Sequence, residues 1–239
     1  LKPDLPSMLP RWLLSAAFCS GLTAGALTVA ALLYNAWLLE FVLPTGLDVR
    51  HSYVSELYAQ GRPYQKLFAA LELTCGVCGL LGALAAAVVF DRDSRTAQAG
   101  WWALVGFAAS SVADVLLPME CAPSVEPRCR FVHPAHTLTS ALVHFFLFAC
   151  IALHSLAATR RHAPHHMAIA TWGPRLLTAT LLSAVLTVGP LVGHPGWHGL
   201  PQLLHLLLVG AWLLLLARQV RPGGPPGSSA APRMPRGSG

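Results

Sequence analysis

Charge is what this chain has least of. Only 11% of its 239 residues are charged and 54% are hydrophobic, whereas a soluble domain carries about 25% charged residues. That excludes an ordinary water-soluble globule and implies a polytopic membrane protein. Lysine is scarce as well: Arg outnumbers Lys by 14 to 2, with two Ile and one Asn. Such a bias follows where Ala, Leu, Gly, Arg and Pro codons dominate a GC-rich genome, so a bacterial plasma membrane is the expected home. The net charge is +6, yet no basic stripe with interleaved aromatics occurs and the arginines sit at the ends of apolar runs, which excludes nucleic acid as the partner. No small-residue cleavage site follows the first apolar run, and that run is too long for a signal peptide. No internal repeat is evident, an absence that counts against an inverted-repeat transporter.

What is present is six apolar runs, each long enough to cross a hydrocarbon core of about 30 Å as a helix. They are expected near 12–39, 66–90, 100–117, 135–158, 173–193 and 200–218. The expected fold is therefore all-α, a six-helix transmembrane bundle. The first run would reach about 42 Å as one helix, so it must tilt or project from the lipid. With a cytoplasmic N-terminus (1–11), the inner side holds Lys2, Arg11, Arg92, Arg95, Arg160, Arg161, Arg175, Arg218, Arg221, Arg233 and Arg236. The outer side holds Arg50, Arg62, Lys66, Arg128 and Arg130. The excess of inner cations predicts both termini cytoplasmic. Residues 219–239 are Pro, Gly and Ser rich and are expected to be a disordered cytoplasmic tail. The inner loop, with Arg160, Arg161, His162, His165 and His166, reads as an orientation determinant near anionic lipid.

Cysteines are few. Cys121 and Cys129 share the predicted outer loop between the third and fourth helices, where an oxidising compartment favours a disulfide. Cys75 and Cys78 form a C-x-x-C inside an apolar helix with no nearby charge to activate a thiol, and small-residue packing explains them. Gly21 and Gly25 in the first helix, and Gly76, Gly79, Gly82 and Ala86 in the second, allow close helix approach, within the bundle or between copies or partners in a homo- or hetero-oligomer. Gly189 and Pro190 are expected to kink the outer end of the fifth helix.

The longest polar stretch, "DVRHSYVSELYAQGRPY" at 48–64, lies between the first two runs. Asp48 is expected to cap a short helix running to Gln60, with Gly61 at its C-terminal end. On it His51 and Ser55 share one face, and Ser52 and Glu56 another. The plain reading is an amphipathic helix in the headgroup layer with tyrosine anchors. The sharper one has Glu56 paired with His51, His136 or Arg62, closing a cavity over Asp114 and His136.

This stretch, with "SSVADVLLPMECAPS", "HPAHTLTSALVHFFLFA" and "WHGLPQLLHLLL", resembles the bacterial and archaeal membrane family known as domain of unknown function 998. The resemblance covers most of 12–218 and is carried by Ser55, Glu56, Leu57, Pro63 and Phe68, then Pro118, Met119 and Glu120. In that pattern Asp is usual at Glu120, and Gln-Arg is common where this chain has Gln202 and Leu203. A weaker similarity is to six-helix proteins of the Frag and autophagy-modulator type, some linked to lipid remodelling.

Ionisable groups inside spans mark candidate sites. Asp114 lies about one turn from the outer end of the third helix. His133, His136, Ser140 and His144 follow Pro134 as one stripe on the fourth, and Gln202 and His205 sit just inside the sixth. With the face of His51, Ser55 and Glu56, these groups are expected around one outward-facing cavity. Three readings compete for it. The first is binding, or help in remodelling, of membrane lipid or another amphiphile. The second is a partner or assembly role in which the polar groups only bond helix to helix. The third is intramembrane hydrolysis with zinc held by Asp114, His136 and His205, joined by His144 or His133. Outside that third reading no cofactor is expected.

Overall fold

The computed structural model describes residues 16–161, 166–194 and 196–220, all helix, turn or loop. Of the tail expected at 219–239, Gln219 and Val220 are described; residues 221–239, the first eleven residues, and His162 and His165 lie outside the described residues.

Six long helices make the fold: α1 (Ala16–Leu33), α2 (Gln65–Val89), α3 (Arg95–Leu116), α4 (Pro134–Arg161), α5 (Met167–Thr187) and α6 (Gly199–Gln219). Each is long and apolar enough to cross a membrane, α1 being counted together with the turn that continues it to Phe41. Each helix packs on the next, and α6 packs back on α1, so the six close into a ring. Connections of five residues join α2 to α3 and α4 to α5, while longer segments join α1 to α2 and α3 to α4 at the other end.

The first run is not one helix, contrary to expectation. Asn35 ends α1 locally: its side-chain amide donates to Ala31 O at 3.0 Å, and its carbonyl accepts from Trp37 Nε1 at 3.3 Å. A side chain that bonds its own backbone competes with the helix ladder, and the chain tightens into a 3-10 turn over Ala36–Phe41. At the fifth helix the expected kink at Gly189 and Pro190 is instead its end. The helix stops at Thr187, and Gly189–Val192 form a separate 3-10 turn closed by Gly193 at φ 83°.

Small residues set the helix spacing. A Cβ on Gly76 would meet Val112 at 2.8 Å, and one on Gly82 would meet Ala26 at 3.2 Å, so α2 lies tight against α3 and α1. Gly21 and Gly25 do not serve the bundle, since both are exposed with nothing near their Cβ positions. The end of the ring where α1 begins and α6 finishes is solidly filled, with Trp101, Trp212, Leu147, Ile151 and Leu216 fully buried. There Gly173 of α5 sits directly on Ser155 of α4. The opposite end holds the polar loops, and packing there is incomplete.

The stretch expected as a surface helix from Asp48 to Gln60 is two turns. Asp48 Oδ1 accepts from Arg50 N at 3.0 Å, and Ser52 Oγ donates to Asp48 O at 2.6 Å, which closes the first turn. Val54–Tyr58 is a 3-10 turn in which Glu56 reaches back to Tyr53 N at 2.9 Å. Ala59 is extended, and Gln60 N donates to Met119 O at 3.0 Å. A backbone bonded to a distant loop cannot continue a helix. Glu56, Leu57, Tyr58 and Ala59 are buried, so the segment plugs the ring instead of floating on its surface.

Candidate functional site

Beneath that plug lies a cavity of about 600 Å³ lined by α2 to α6 and by Tyr34, just after α1. Alternating helix directions bring the last turns of α1, α3 and α5 and the first turns of α2, α4 and α6 to one end. Each sequence-expected polar group falls within reach of that end for this reason. His144, ten residues beyond Pro134, lies about 15 Å down α4, near half the thickness of a bilayer core.

Seven of the nine expected residues line the cavity: Ser55, Asp114, His136, Ser140, His144, Gln202 and His205. Two do not. His51 lies beside the loop before α6, where its Nδ1 accepts from Trp197 N at 3.1 Å and its ring stands 5.4 Å from the indole. Glu56 is fully buried behind the wall; of the expected partners only Arg62 acts on it, through its charge, and its hydrogen bonds go elsewhere. Its Oε2 accepts from Ser124 N at 3.0 Å and Ser124 Oγ at 2.6 Å. Burial pushes its carboxyl above the ordinary range, only partly offset by the Ser124 and Tyr53 bonds and by the Arg62 charge.

Asp114 is the most fully bonded group on the wall. It accepts from Tyr58 Oη at 3.1 Å, Thr139 Oγ1 at 2.6 Å and Ser140 Oγ at 2.8 Å, and His136 Nδ1 stands 3.3 Å away. Burial first, then the Asp114 and Glu72 charges, hold the Tyr58 phenol well above its usual value, so it remains a donor. Tyr53, pushed up to about 12 by burial and by Glu56, donates to Thr187 O at 2.9 Å. Gln202 accepts from Val54 N at 2.8 Å and so ties the plug to α6.

The histidines share one device. His136 Nδ1 lies 3.2 Å from Leu117 O, His144 Nδ1 2.7 Å from Ser140 O, and His205 Nδ1 3.1 Å from Thr180 O. A carbonyl oxygen only accepts, so each ring carries a proton on Nδ1. His144 and His205 stack with centroids 4.9 Å apart. His198, next to the mouth of the loop, is buried against Tyr53 at 4.5 Å with both nitrogens unpartnered, and burial followed by His51 lowers it to about 4.

Glu72 was not singled out by the sequence reading. It stands on the cavity wall about 10 Å down α2, close enough to Asp114, Tyr34 and Tyr58 to interact electrostatically. The signal was available, since it is an acid in the middle of an apolar span, as Asp114 is.

The zinc arrangement expected from Asp114, His136 and His205 does not assemble. Among the described residues, the group whose ligand atoms gather within 4.8 Å is Cys121, Cys129 and His133. Its two sulfurs are joined in the expected disulfide, with Cα atoms 5.8 Å apart, which leaves no thiolate for an ion. On the cavity wall Asp114 stands beside His136 and His144 beside His205, but among the described residues no three such groups there bring their ligand atoms within 4.8 Å of one another, as one tetrahedral centre would need.

The mouth of the cavity is lateral. Lining residues that are exposed are Ala141 and Phe145 on α4, Leu181 and Val185 on α5, and Val188 and Leu191 just after it. The two helices touch at Gly173 and Ser155. Toward the polar end every exposed lining residue between them is apolar.

Comparison with known proteins decides the family. The family described as a protein of unknown function, DUF998, matches residues 23–219. This chain belongs to it. No curated protein and no solved structure matches. The matched segment of this DUF998 protein runs from α1 to the last turn of α6 and so includes the plug, the disulfide loop and every wall of the cavity.

Proposed function

We propose that this DUF998 protein binds a membrane amphiphile, a lipid or a related molecule, which enters sideways between α4 and α5 and lodges its polar end under the plug. The observation that carries this reading is the lateral apolar mouth of a cavity with a polar interior. A water-soluble ligand would find no polar entrance at the exposed lining residues, whereas an alkyl chain leaving by Phe145, Leu181 and Val185 stays in lipid. Inside the mouth the ligand would pass His136, His144, His205 and Gln202, each held by a bond to backbone, and Ser140, held by Asp114, before its polar end reaches the deeper wall. In this reading the protein sits in a bacterial plasma membrane with both termini cytoplasmic, and the cavity opens to the outer leaflet. There it holds the amphiphile or helps remodel lipid. Hydrolysis is not favoured: Ser183 Oγ, 3.3 Å from His205, donates to Thr180 O, and His205 spends its Nδ1 on the same carbonyl.

The test is a blocked mouth. Ala141 is exposed, so Ala141→Trp fills the gap between α4 and α5 at little cost to the fold. Wild-type protein purified in mild detergent is expected to carry an amphiphile detectable by mass spectrometry, and the variant, equally monodisperse, to carry about a tenth or less of it. Equal amounts in both, or none in either, would remove the reading.

A further inference from the structure

The acidic side chains on the cavity wall face no basic one, and this asymmetry points to the ligand's head. Among the described residues no Lys or Arg lines the cavity, while Glu72 and Asp114 both do. Asp114 is answered from within the protein by three hydroxyl donors and the His136 imidazole at 3.3 Å. Glu72 has no hydrogen bond and no ion pair among the described residues, yet it is electrostatically coupled to Asp114. A carboxylate in a membrane cavity needs either a counter-ion or a proton, and a second carboxylate nearby makes the need greater.

The rest of the wall suits a cation. Three tyrosines, Tyr34, Tyr53 and Tyr58, and three phenylalanines, Phe131, Phe145 and Phe148, line the space. Aromatic faces attract ammonium groups, more strongly when water is excluded. An anionic phosphate would find the opposite: two carboxyls, and imidazoles whose Nδ1 protons are already committed to backbone carbonyls. Arg62 is not among the lining residues and donates to Thr45 O at 2.8 Å.

We propose, resting on the amphiphile reading above, that the ligand is a cationic amphiphile, an alkyl amine or ammonium without a phosphate, with Glu72 as its counter-ion. The head sits between α2 and α3 near Glu72, Tyr34 and Tyr58. Its chain crosses the cavity past the His144 and His205 pair and leaves between α4 and α5. Such a molecule exposes no charge to the lipid and leaves none unmatched on the wall.

The experiment uses the full chain in detergent and three probes of equal chain length: dodecylamine, dodecanol and dodecyl phosphate. Binding is followed at pH 7 by displacement of co-purified amphiphile and by thermal stabilisation. Dodecylamine is expected to bind about ten-fold or more tightly than either other probe, the scale of one charge-assisted hydrogen bond. Glu72→Gln should erase that preference while dodecanol still binds. Equal binding of amine and alcohol by the wild type means that Glu72 carries a proton, and the cationic head is overturned while the amphiphile site stands. Tighter binding of the phosphate overturns it as well. If no probe binds, the amphiphile reading itself fails. Should Glu72→Gln not fold, the comparison of the three probes on the wild type decides alone.

Discussion

Glu56 is a buried charge used as a fastener. One carboxylate oxygen closes the turn at Tyr53 and the other holds the backbone and hydroxyl of Ser124, so two loops are joined by one side chain. Its carboxyl is raised above the ordinary value of 4.5, burial outweighing the hydrogen bonds and Arg62. A raised acid binds its proton more tightly in the folded state, so its contribution to stability is present below that ordinary value and is lost as pH rises through the folded one. Thermal stability of the wild type is therefore expected to fall from mildly acid to neutral pH relative to Glu56→Gln, which lacks the titration. At neutral pH the variant should also be weaker by about 1–3 kcal/mol, because its amide turns N–H donors toward those of Ser124. Gln60→Ala, at an exposed position, serves as control and should stay within about 0.5 kcal/mol. Identical behaviour of the two variants across pH would return Glu56 to an incidental role. The burial of this residue was legible from a polar side chain amid buried apolar neighbours, but its partner was not. Ser124 lies 68 residues away in a loop with no periodic pattern, and nothing local points to it. Glu72 shows the reverse, a locally visible signal masked by more conspicuous histidines.

Elements divide in the same way. The six long helices were legible because in lipid every backbone group must be satisfied within its own segment, so length and apolarity nearly determine the structure. The short polar elements were not, because their geometry is set by what they meet. Asp48, read as a helix cap, makes a turn with Arg50 instead, and the plug follows the loop between α3 and α4. That loop has its own closure, the Cys121–Cys129 bond spanning eight residues. It delivers Ser124 to Glu56 and Met119 to the plug, where Ser55 Oγ approaches the sulfur at 3.3 Å. Closing a loop of this size restricts the unfolded chain by about 2.5 kcal/mol in the chain-entropy view. Cys121→Ser with Cys129→Ser is expected to lower thermal stability by about that amount and to weaken amphiphile retention, since Met119 and Phe131 line the cavity. A membrane-impermeant thiol reagent should label the wild-type pair only after reduction. Ready labelling in untreated cells would show the bond absent, and unchanged stability of the double variant would show the loop held by Glu56 alone.

The whole molecule has two unlike ends, and its orientation follows from how cations are shared between them. Among the described residues the asymmetry is slight. Arg92, Arg95, Arg160, Arg161, Arg175 and Arg218 lie toward the filled end, against Arg50, Arg62, Lys66, Arg128 and Arg130 at the cavity end. The excess comes from the terminal segments, where Lys2, Arg11, Arg221, Arg233 and Arg236 raise the count to eleven against five. A reporter fused after Gly239 is therefore expected to act only in the cytoplasm, with the cavity end outside. Replacing Arg221, Arg233 and Arg236 by Gln leaves eight against five and should not change that result. Replacing Arg160 and Arg161 as well leaves six against five, and mixed orientation should appear, with reporter activity on both sides of the membrane. The second step also removes the Arg161 to Asp91 ion pair that, with the Trp101 bond to Asp91 at 3.0 Å, closes the filled end. A separate Asp91→Asn variant, which weakens that pair without altering the cation count, is the control and should keep a single orientation. Periplasmic activity of the unaltered fusion would invert the bundle, turning the mouth between α4 and α5 to the inner leaflet and the amphiphile with it.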